Sequence, residues 1–239
     1  MHPTSDATPI GQRYLDACEQ IAACARASER PDDDVRLLCV SKTRTAEEVR
    51  AAYAAGARDF GENYLQDALP KLDRLASLED IQWHFIGRVQ SNKTRQIAGR
   101  FDWLHTLDRP RIARRLNEQR EDDRPPLNVC LQVNLHHESQ KAGCPAEALP
   151  DLIATIAELP RLRLRGLMVL PATSVDPAEA FASLRALHAQ LSVTGAAGDY
   201  WDTLSMGMSG DYHAAIAAGS TVVRLGTAIF GPRTPAAGA

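Results

Sequence analysis

Short apolar runs alternate with longer amphipathic stretches along most of this chain. Runs of four to eight apolar and β-branched residues are typical of buried strands, and they predict strands at residues 35–41, 58–61, 81–87, 103–106, 128–135, 164–170, 203–206 and 222–225. Helical spacing of apolar residues predicts helices at 11–29, 46–55, 63–75, 91–98, 111–119, 146–158, 177–191 and 212–218. The chain therefore reads as a helix followed by repeated strand–helix units.

This alternation predicts a parallel sheet, because parallel neighbours need crossover connections. Closing eight such units gives a (β/α)8 barrel. An open, doubly wound sheet is the alternative, but it usually binds phosphate at a glycine-rich first turn, and Ser41-Lys42-Thr43 is no such turn. We predict one (β/α)8 barrel domain over residues 1–239, with an extra N-terminal helix and a disordered tail from about residue 234.

Composition narrows the class of protein. The chain has 239 residues, 44% of them hydrophobic, and a net charge of −3, which argues against general nucleic-acid or membrane-surface binding. Its five cysteines form no CxxC pair and its seven histidines no HExxH motif, so we expect reduced thiols and no metal. The start lacks the apolar core of a signal peptide, and no run is long enough to span a bilayer. We expect a cytoplasmic monomer.

Lys42 is the first candidate for chemistry. It ends the apolar run of the first strand, where desolvation disfavours an ammonium ion and lowers its pKa. The resulting amine can form a Schiff base with a carbonyl. The alternative is a strand-ending lysine whose ammonium group reaches water.

The last two strands carry a second group of candidates. Loops after strands seven and eight are the usual phosphate site of this architecture, and Ser209, Gly226 and Thr227 lie there. Ser209 offers a hydroxyl, and the backbone amides of Gly226 and Thr227 can donate at a helix start. The alternative is a serine cap and a helix-start glycine without a ligand.

Arg224 interrupts a β-branched strand and must find an acceptor there. A carboxylate is one solution; the ring nitrogen of a ligand is the other. A carbonyl-reactive lysine, a phosphate cradle and this arginine together indicate pyridoxal 5′-phosphate (PLP), with the aldehyde on Lys42 and the pyridine nitrogen on Arg224. Such a contact would keep the nitrogen unprotonated and weaken carbanion chemistry.

Several motifs in this order resemble those of the pyridoxal phosphate homeostasis protein family, from about residue 10 to residue 233. They are Val40-Ser41-Lys42-Thr43, Phe60-Gly61-Glu62-Asn63-Tyr64, Trp83-His84-Phe85-Ile86-Gly87, Gln90-Ser91-Asn92-Lys93, Arg165-Gly166-Leu167-Met168, Leu204-Ser205-Met206-Gly207-Met208-Ser209 and Val223-Arg224-Leu225-Gly226-Thr227-Ala228-Ile229-Phe230-Gly231.

The resemblance implies a barrel similar to the N-terminal domain of alanine racemase, with PLP on Lys42 and Asn63 beside its ring. It also implies a carrier that buffers PLP and delivers it to apo-enzymes, without established turnover. The chain departs from the family pattern at Arg88-Val89, at His136-His137 and at Gly210.

Two enzyme hypotheses stay open beside the carrier. One is a PLP-dependent amino-acid racemase or lyase, although we recognise no second acid–base group and no further domain after residue 231. The other is a sugar-phosphate aldolase or isomerase that uses Lys42, for which Glu62 is the one carboxylate we can place at a strand end.

Overall fold

The computed structural model describes residues 8–135, 142–193 and 198–232. Within them, parallel strands close into a barrel in sequence order, β1-β2-β3-β4-β5-β6-β7-β8. The strands are β1 Arg36–Val40, β2 Asp59–Glu62, β3 Gln82–Phe85, β4 Trp103–Leu107, β5 Leu127–Gln132, β6 Leu162–Met168, β7 Thr203–Met208 and β8 Val222–Leu225.

Helices connect the strands on the outside of the barrel. They are α1 Pro9–Ala27, α2 Ala46–Ala54, α3 Leu65–Arg74, α4 Thr94–Arg100, α5 Pro110–Gln119, α6 Leu149–Ala157, α7 Pro177–Val193, α8 Tyr212–Ala217 and α9 Thr227–Phe230, with short 3-10 helices at Ser91–Lys93 and Ala146–Ala148. The predicted (β/α)8 class with an extra N-terminal helix is confirmed. That residues 1–239 form one domain stays a prediction, and the predicted disordered tail lies outside the described residues.

Local capping chemistry fixes the loop that follows β1. Thr45 accepts a hydrogen bond from the amide of Glu48 at 3.2 Å, and the Glu48 carboxylate accepts one from the amide of Thr45 at 2.7 Å. This reciprocal capping box satisfies two amides that the first turn of α2 would otherwise leave unpaired. It sets the start of α2 at Ala46, four residues beyond Lys42.

The two faces of the barrel sheet bury different kinds of side chain. Between strands and helices the packing is apolar, with fully buried side chains such as Cys39, Phe60 and Leu131. Inside the barrel, where branched apolar residues usually dominate, alternate strand positions carry polar side chains instead. The buried polar set includes His84, His105, Ser205 and Arg224.

No helix in the described parts of the chain is both long and apolar enough to cross a bilayer.

Candidate functional site

A cavity of about 390 Å³ opens at the carboxyl ends of the strands. Its volume is typical of sites for small ligands and cofactors. The lining combines apolar side chains, among them Ile86, Met168 and Leu170, with all of the residues singled out from the sequence: Lys42, Asn63, Ser209, Arg224, Gly226 and Thr227. The structure therefore brings the six candidates together around one cavity.

Lys42 follows β1 directly and is half-buried at the cavity wall. The amide of Ser41 donates to the carbonyl of Gly61 on β2 at 2.9 Å, so the backbone up to Lys42 is still held by the sheet. The next residue, Thr43, has a φ of 64°. This left-handed conformation is costly for a β-branched residue, and it turns the chain sharply away from the strand.

A buried ion pair supports the ends of β1 and β2. The Nζ atom of Lys71 on α3 donates to Glu62 Oε1 at 2.6 Å and to the carbonyl of Ser41 at 2.7 Å, and the Ser41 hydroxyl donates to the same Glu62 oxygen at 2.6 Å. Burial raises the pKa of the Glu62 carboxyl, and the ammonium of Lys71 opposes that rise. Because Ser41 and Glu62 immediately precede Lys42 and Asn63, the pair fixes where both candidates leave the sheet.

Asn63 lies in the bend before α3, not in the helix as its predicted range of 63–75 required. Its Oδ1 atom is buried and has no hydrogen-bond partner among the described residues. A Cβ atom added to Gly87 would lie only 1.9 Å from the carbonyl oxygen of Asn63. Glycine at position 87 therefore allows the exit of β3 to press against the Asn63 backbone and hold it at the cavity.

Gly226 and Thr227 connect β8 to α9. A Cβ atom on Gly226 would lie 3.2 Å from the carbonyl oxygen of Val40, so this glycine lets the start of α9 approach the end of β1. Amides in the first turn of a helix have no intrahelical acceptor. On the same rim, Ser209 is exposed and follows β7. The arrangement places a hydroxyl and a helix start beside the strand that carries Lys42.

Two arginines hold the other end of α9. Arg13 on α1 donates to the carbonyl of Ile229 at 2.7 Å, and Arg44 donates to the carbonyl of Gly231 at 2.5 Å. Cations at a helix C-terminus satisfy its unpaired carbonyls and complement its dipole. Since Arg44 belongs to the loop after Lys42, it also ties the Lys42 turn to α9.

Arg224 is 4% exposed and lines the floor of the cavity. It donates to the Ser205 hydroxyl at 2.8 Å and to the carbonyl of Val169 at 3.0 Å. Burial lowers its pKa to about 10, which leaves it protonated at neutral pH. In the part of the chain that the structure describes, no carboxylate lies within ion-pair distance of Arg224, so the first solution expected from the sequence does not occur there.

A chain of buried polar groups continues from Ser205 across the barrel interior. Ser205 Oγ lies 2.8 Å from His105 Nδ1, His105 Nε2 lies 2.9 Å from His84 Nδ1, and His84 Nε2 lies 3.0 Å from Asp59 Oδ1. The sequence places His84 within the third predicted strand, residues 81–87, which agrees with its buried position. Sequence reasoning missed the other members, although a second histidine within a predicted strand was a signal.

The departures from the family pattern lie at the edges of the site. Gly210 lines the cavity beside Ser209, whereas Arg88 lines a smaller neighbouring pocket with Gln90 and Lys93. His136 and His137 lie outside the described residues.

Comparison with known proteins gives the class first. The family model described as "Alanine racemase, N-terminal domain" matches residues 15–234. Alanine racemase from Corynebacterium glutamicum shares the fold with a TM-score of 0.68 at 17% identity, covering 97% of this chain and 63% of that one. Fold and site together define a barrel of the alanine racemase N-terminal type.

More similar proteins define the family within that class. The pyridoxal phosphate homeostasis protein of Pseudomonas aeruginosa is 52% identical over 227 residues, which cover 94% of this chain and 96% of that protein. The structure of PipY from Synechococcus elongatus with PLP bound has a TM-score of 0.81 at 36% identity and covers 93% of this chain and 100% of that one. The chain belongs to the pyridoxal phosphate homeostasis protein family.

Proposed function

We propose that this protein binds PLP in the cavity between Lys42 and Arg224 and serves as a carrier that buffers the cofactor. The observation that carries the proposal is the cavity lining itself, where an amine, a hydroxyl beside a helix start and a buried guanidinium surround about 390 Å³. The family membership and the PLP bound to PipY support the same cofactor.

The residues present fit each part of the cofactor. Lys42 would hold the PLP aldehyde through its amine, as a Schiff base formed with loss of water. Ser209, Gly226 and Thr227 would donate to the phosphate, and Arg224 would donate to the pyridine nitrogen. The unpartnered Oδ1 atom of Asn63 would accept a hydrogen bond beside the ring, which removes the cost of a buried orphan acceptor.

The carrier role is favoured over amino-acid chemistry by what lines the cavity. Apart from Lys42 and Arg224, the described lining holds no titratable side chain: no carboxylate, imidazole, phenol or thiol. A racemase needs a proton donor or acceptor on each face of the substrate carbon. The likeness to alanine racemase, at 17% identity, supports the fold and not the reaction. A PLP-dependent racemase or lyase is the second candidate.

Borohydride trapping tests the binding proposal sharply, because the sequence contains only the lysines Lys42, Lys71, Lys93 and Lys141. We expect visible absorbance on adding PLP and, after reduction, one modified peptide that contains Lys42. Lys42→Ala should lose both signals, whereas Lys93→Ala, at an exposed position, should keep both. An adduct on another lysine would contradict the proposal.

Turnover decides between carrier and enzyme. The loaded protein, at high concentration, is incubated with a panel of L- and D-amino acids, and products are quantified against protein. The carrier predicts less than one product per protein molecule. Multiple turnovers that disappear in Lys42→Ala would establish the enzyme.

We further propose that the carrier acts as a cytoplasmic monomer and transfers PLP to apo-enzymes that depend on it. The loaded protein is mixed with such an apo-enzyme in the presence of a reagent that removes free PLP from solution. Under these conditions it should restore enzyme activity faster than the same amount of free PLP does. Light scattering of the loaded protein in solution should give the mass of one chain.

A further inference from the structure

The polar chain that starts at Arg224 favours one direction of hydrogen bonding when its two histidines are neutral. Arginine only donates and an ionised carboxylate only accepts, so the two ends of the chain, Arg224 and Asp59, restrict the roles of the groups between them. Ser205 accepts from Arg224 at 2.8 Å, which leaves its own proton available to donate to His105 Nδ1. The chain then runs from Nε2 of His105 to Nδ1 of His84, and from Nε2 of His84 to Asp59.

The opposite direction fails at its last contact. If His105 donated from Nδ1 to Ser205, then His84 would have to donate to His105 and present a lone pair to the Asp59 carboxylate at 3.0 Å. Two acceptors would then face each other in a buried place, which costs the full desolvation of both. With both imidazoles neutral, each therefore carries its proton on Nε2.

Burial agrees with neutral rings. His84 and His105 have no exposed surface, and burial lowers the pKa of both imidazoles, with the Asp59 carboxylate opposing that effect at His84. Trp103 stacks on His84 with ring centroids 5.3 Å apart and planes 8° apart, so the face of that ring is packed against an aromatic side chain.

The chain crosses the whole barrel. Ser205 and Arg224 are the third residues of β7 and β8, and His84 and His105 are the third residues of β3 and β4. Asp59 is the first residue of β2, at the end of the barrel opposite the cavity, where its side chain is 19% exposed and Arg36 lies 3.5 Å away. Burying so many polar groups costs folding free energy unless each of them is hydrogen-bonded.

We propose that Asp59, His84, His105 and Ser205 form a one-directional hydrogen-bond relay that positions Arg224 for the ligand in the cavity. These four are positioning residues, because they act through Arg224 and do not line the cavity themselves. Ser205 and the Val169 carbonyl take two of the guanidinium donors and fix its plane. The consequence for PLP rests on the proposed function; the direction of the relay does not.

The direction is tested on the protein without cofactor. Proton–nitrogen correlation spectra of the isotope-labelled protein, assigned with His84→Gln and His105→Gln, report the tautomer of each ring. We expect neutral rings with the proton on Nε2 for both histidines at neutral pH. A proton on Nδ1 of either ring, or a charged ring, would overturn the relay.

The positioning role is tested by PLP titration. His105→Leu cuts the chain, and we expect PLP to bind about tenfold more weakly, the effect of loosening one hydrogen bond to a charged donor. Gln can both accept and donate, so His105→Gln should recover most of that affinity. Equal affinity of His105→Leu and the natural protein would overturn the positioning role, whereas a natural protein that binds no PLP would instead end the proposed function.

A second pair keeps the test valid if His105→Leu does not fold. Asp59→Ala removes the terminal acceptor at the edge of the barrel, and Asp34→Ala removes a carboxylate that is 43% exposed and paired with Arg30. In Asp59→Ala we expect the His84 proton to be no longer confined to Nε2 and PLP binding to be weaker. Asp34→Ala should change neither the His84 tautomer nor PLP binding. An unchanged His84 tautomer in Asp59→Ala would refute the relay.

Discussion

At the residue scale, Gly87 shows how closely the strand exits pack around the cavity. Any Cβ atom there would meet the Asn63 carbonyl oxygen at 1.9 Å, far inside van der Waals contact, so the backbone must move. A shift of the Asn63 backbone would also move its side chain, whose unpartnered Oδ1 atom is buried at the cavity wall. Position 87 thus controls a side chain that belongs to another strand.

Gly87→Ala should therefore weaken PLP binding and also destabilise the fold, by about 1–3 kcal/mol, as overpacked sites do. Gly99→Ala is the matched control: Gly99 lies in α4 and its added Cβ would meet nothing within 4 Å. That variant should gain about 0.5–1 kcal/mol from helix propensity and bind PLP unchanged. Urea unfolding and PLP titration measure both; a Gly87→Ala protein with natural affinity would show that Asn63 is not needed.

At the element scale, the Lys71–Glu62 ion pair joins α3 to the ends of β1 and β2. The two side chains are 4% and 0% exposed, so neither charge is stabilised by water. Removing one partner of such a pair leaves an uncompensated buried charge, whereas replacing both can be nearly neutral.

Lys71→Met should accordingly lower the free energy of unfolding by about 3–5 kcal/mol, and Glu62→Gln/Lys71→Met should restore much of it. Glu19→Ala provides the comparison, because Glu19 and Arg26 form a surface pair that is 74% and 48% exposed; its effect should stay below about 1 kcal/mol. Urea denaturation of the four proteins gives the values. A double variant as unstable as Lys71→Met would mean that packing, not charge, dominates here.

Elements also explain how far the sequence could predict the site. Lys42 and Gly226 were predictable because parallel barrel strands bring their carboxyl ends to one rim, whatever the details of packing. Lys71 was not, because its contact with Glu62 depends on how α3 packs on β2. His105 and Ser205 lie 100 positions apart and meet at 2.8 Å only because the barrel closes with this stagger. The pattern placed Asn63 just after a predicted strand, but its role beside the ring came from family resemblance, since its local pattern also fits an ordinary helix start.

At the scale of the whole molecule, buried histidines link folding to pH. Burial lowers the pKa of His84 and His105, and it lowers that of His188, which stacks on Trp201, to about 4. The unfolded chain titrates these groups near pH 6.5. Below that pH the unfolded state binds protons that the folded state does not bind, so the free energy of unfolding falls as the pH is lowered. Glu62 and Asp108 act in the opposite direction, because their pKa values are raised and the folded state binds their protons first.

His188→Gln isolates one histidine of this set without touching the cavity. Between about pH 7 and about pH 5, we expect the natural protein to lose unfolding free energy as the pH falls, since three imidazoles resist protonation and two carboxyls favour it. His188→Gln should lose less over the same interval, because its folded state no longer excludes that proton, even if its stability at neutral pH is lower. Urea unfolding of both cofactor-free proteins at several pH values gives the slopes. Parallel slopes would show that His188 takes up its proton equally in both states, and a flatter natural curve would reverse the sign assigned to burial.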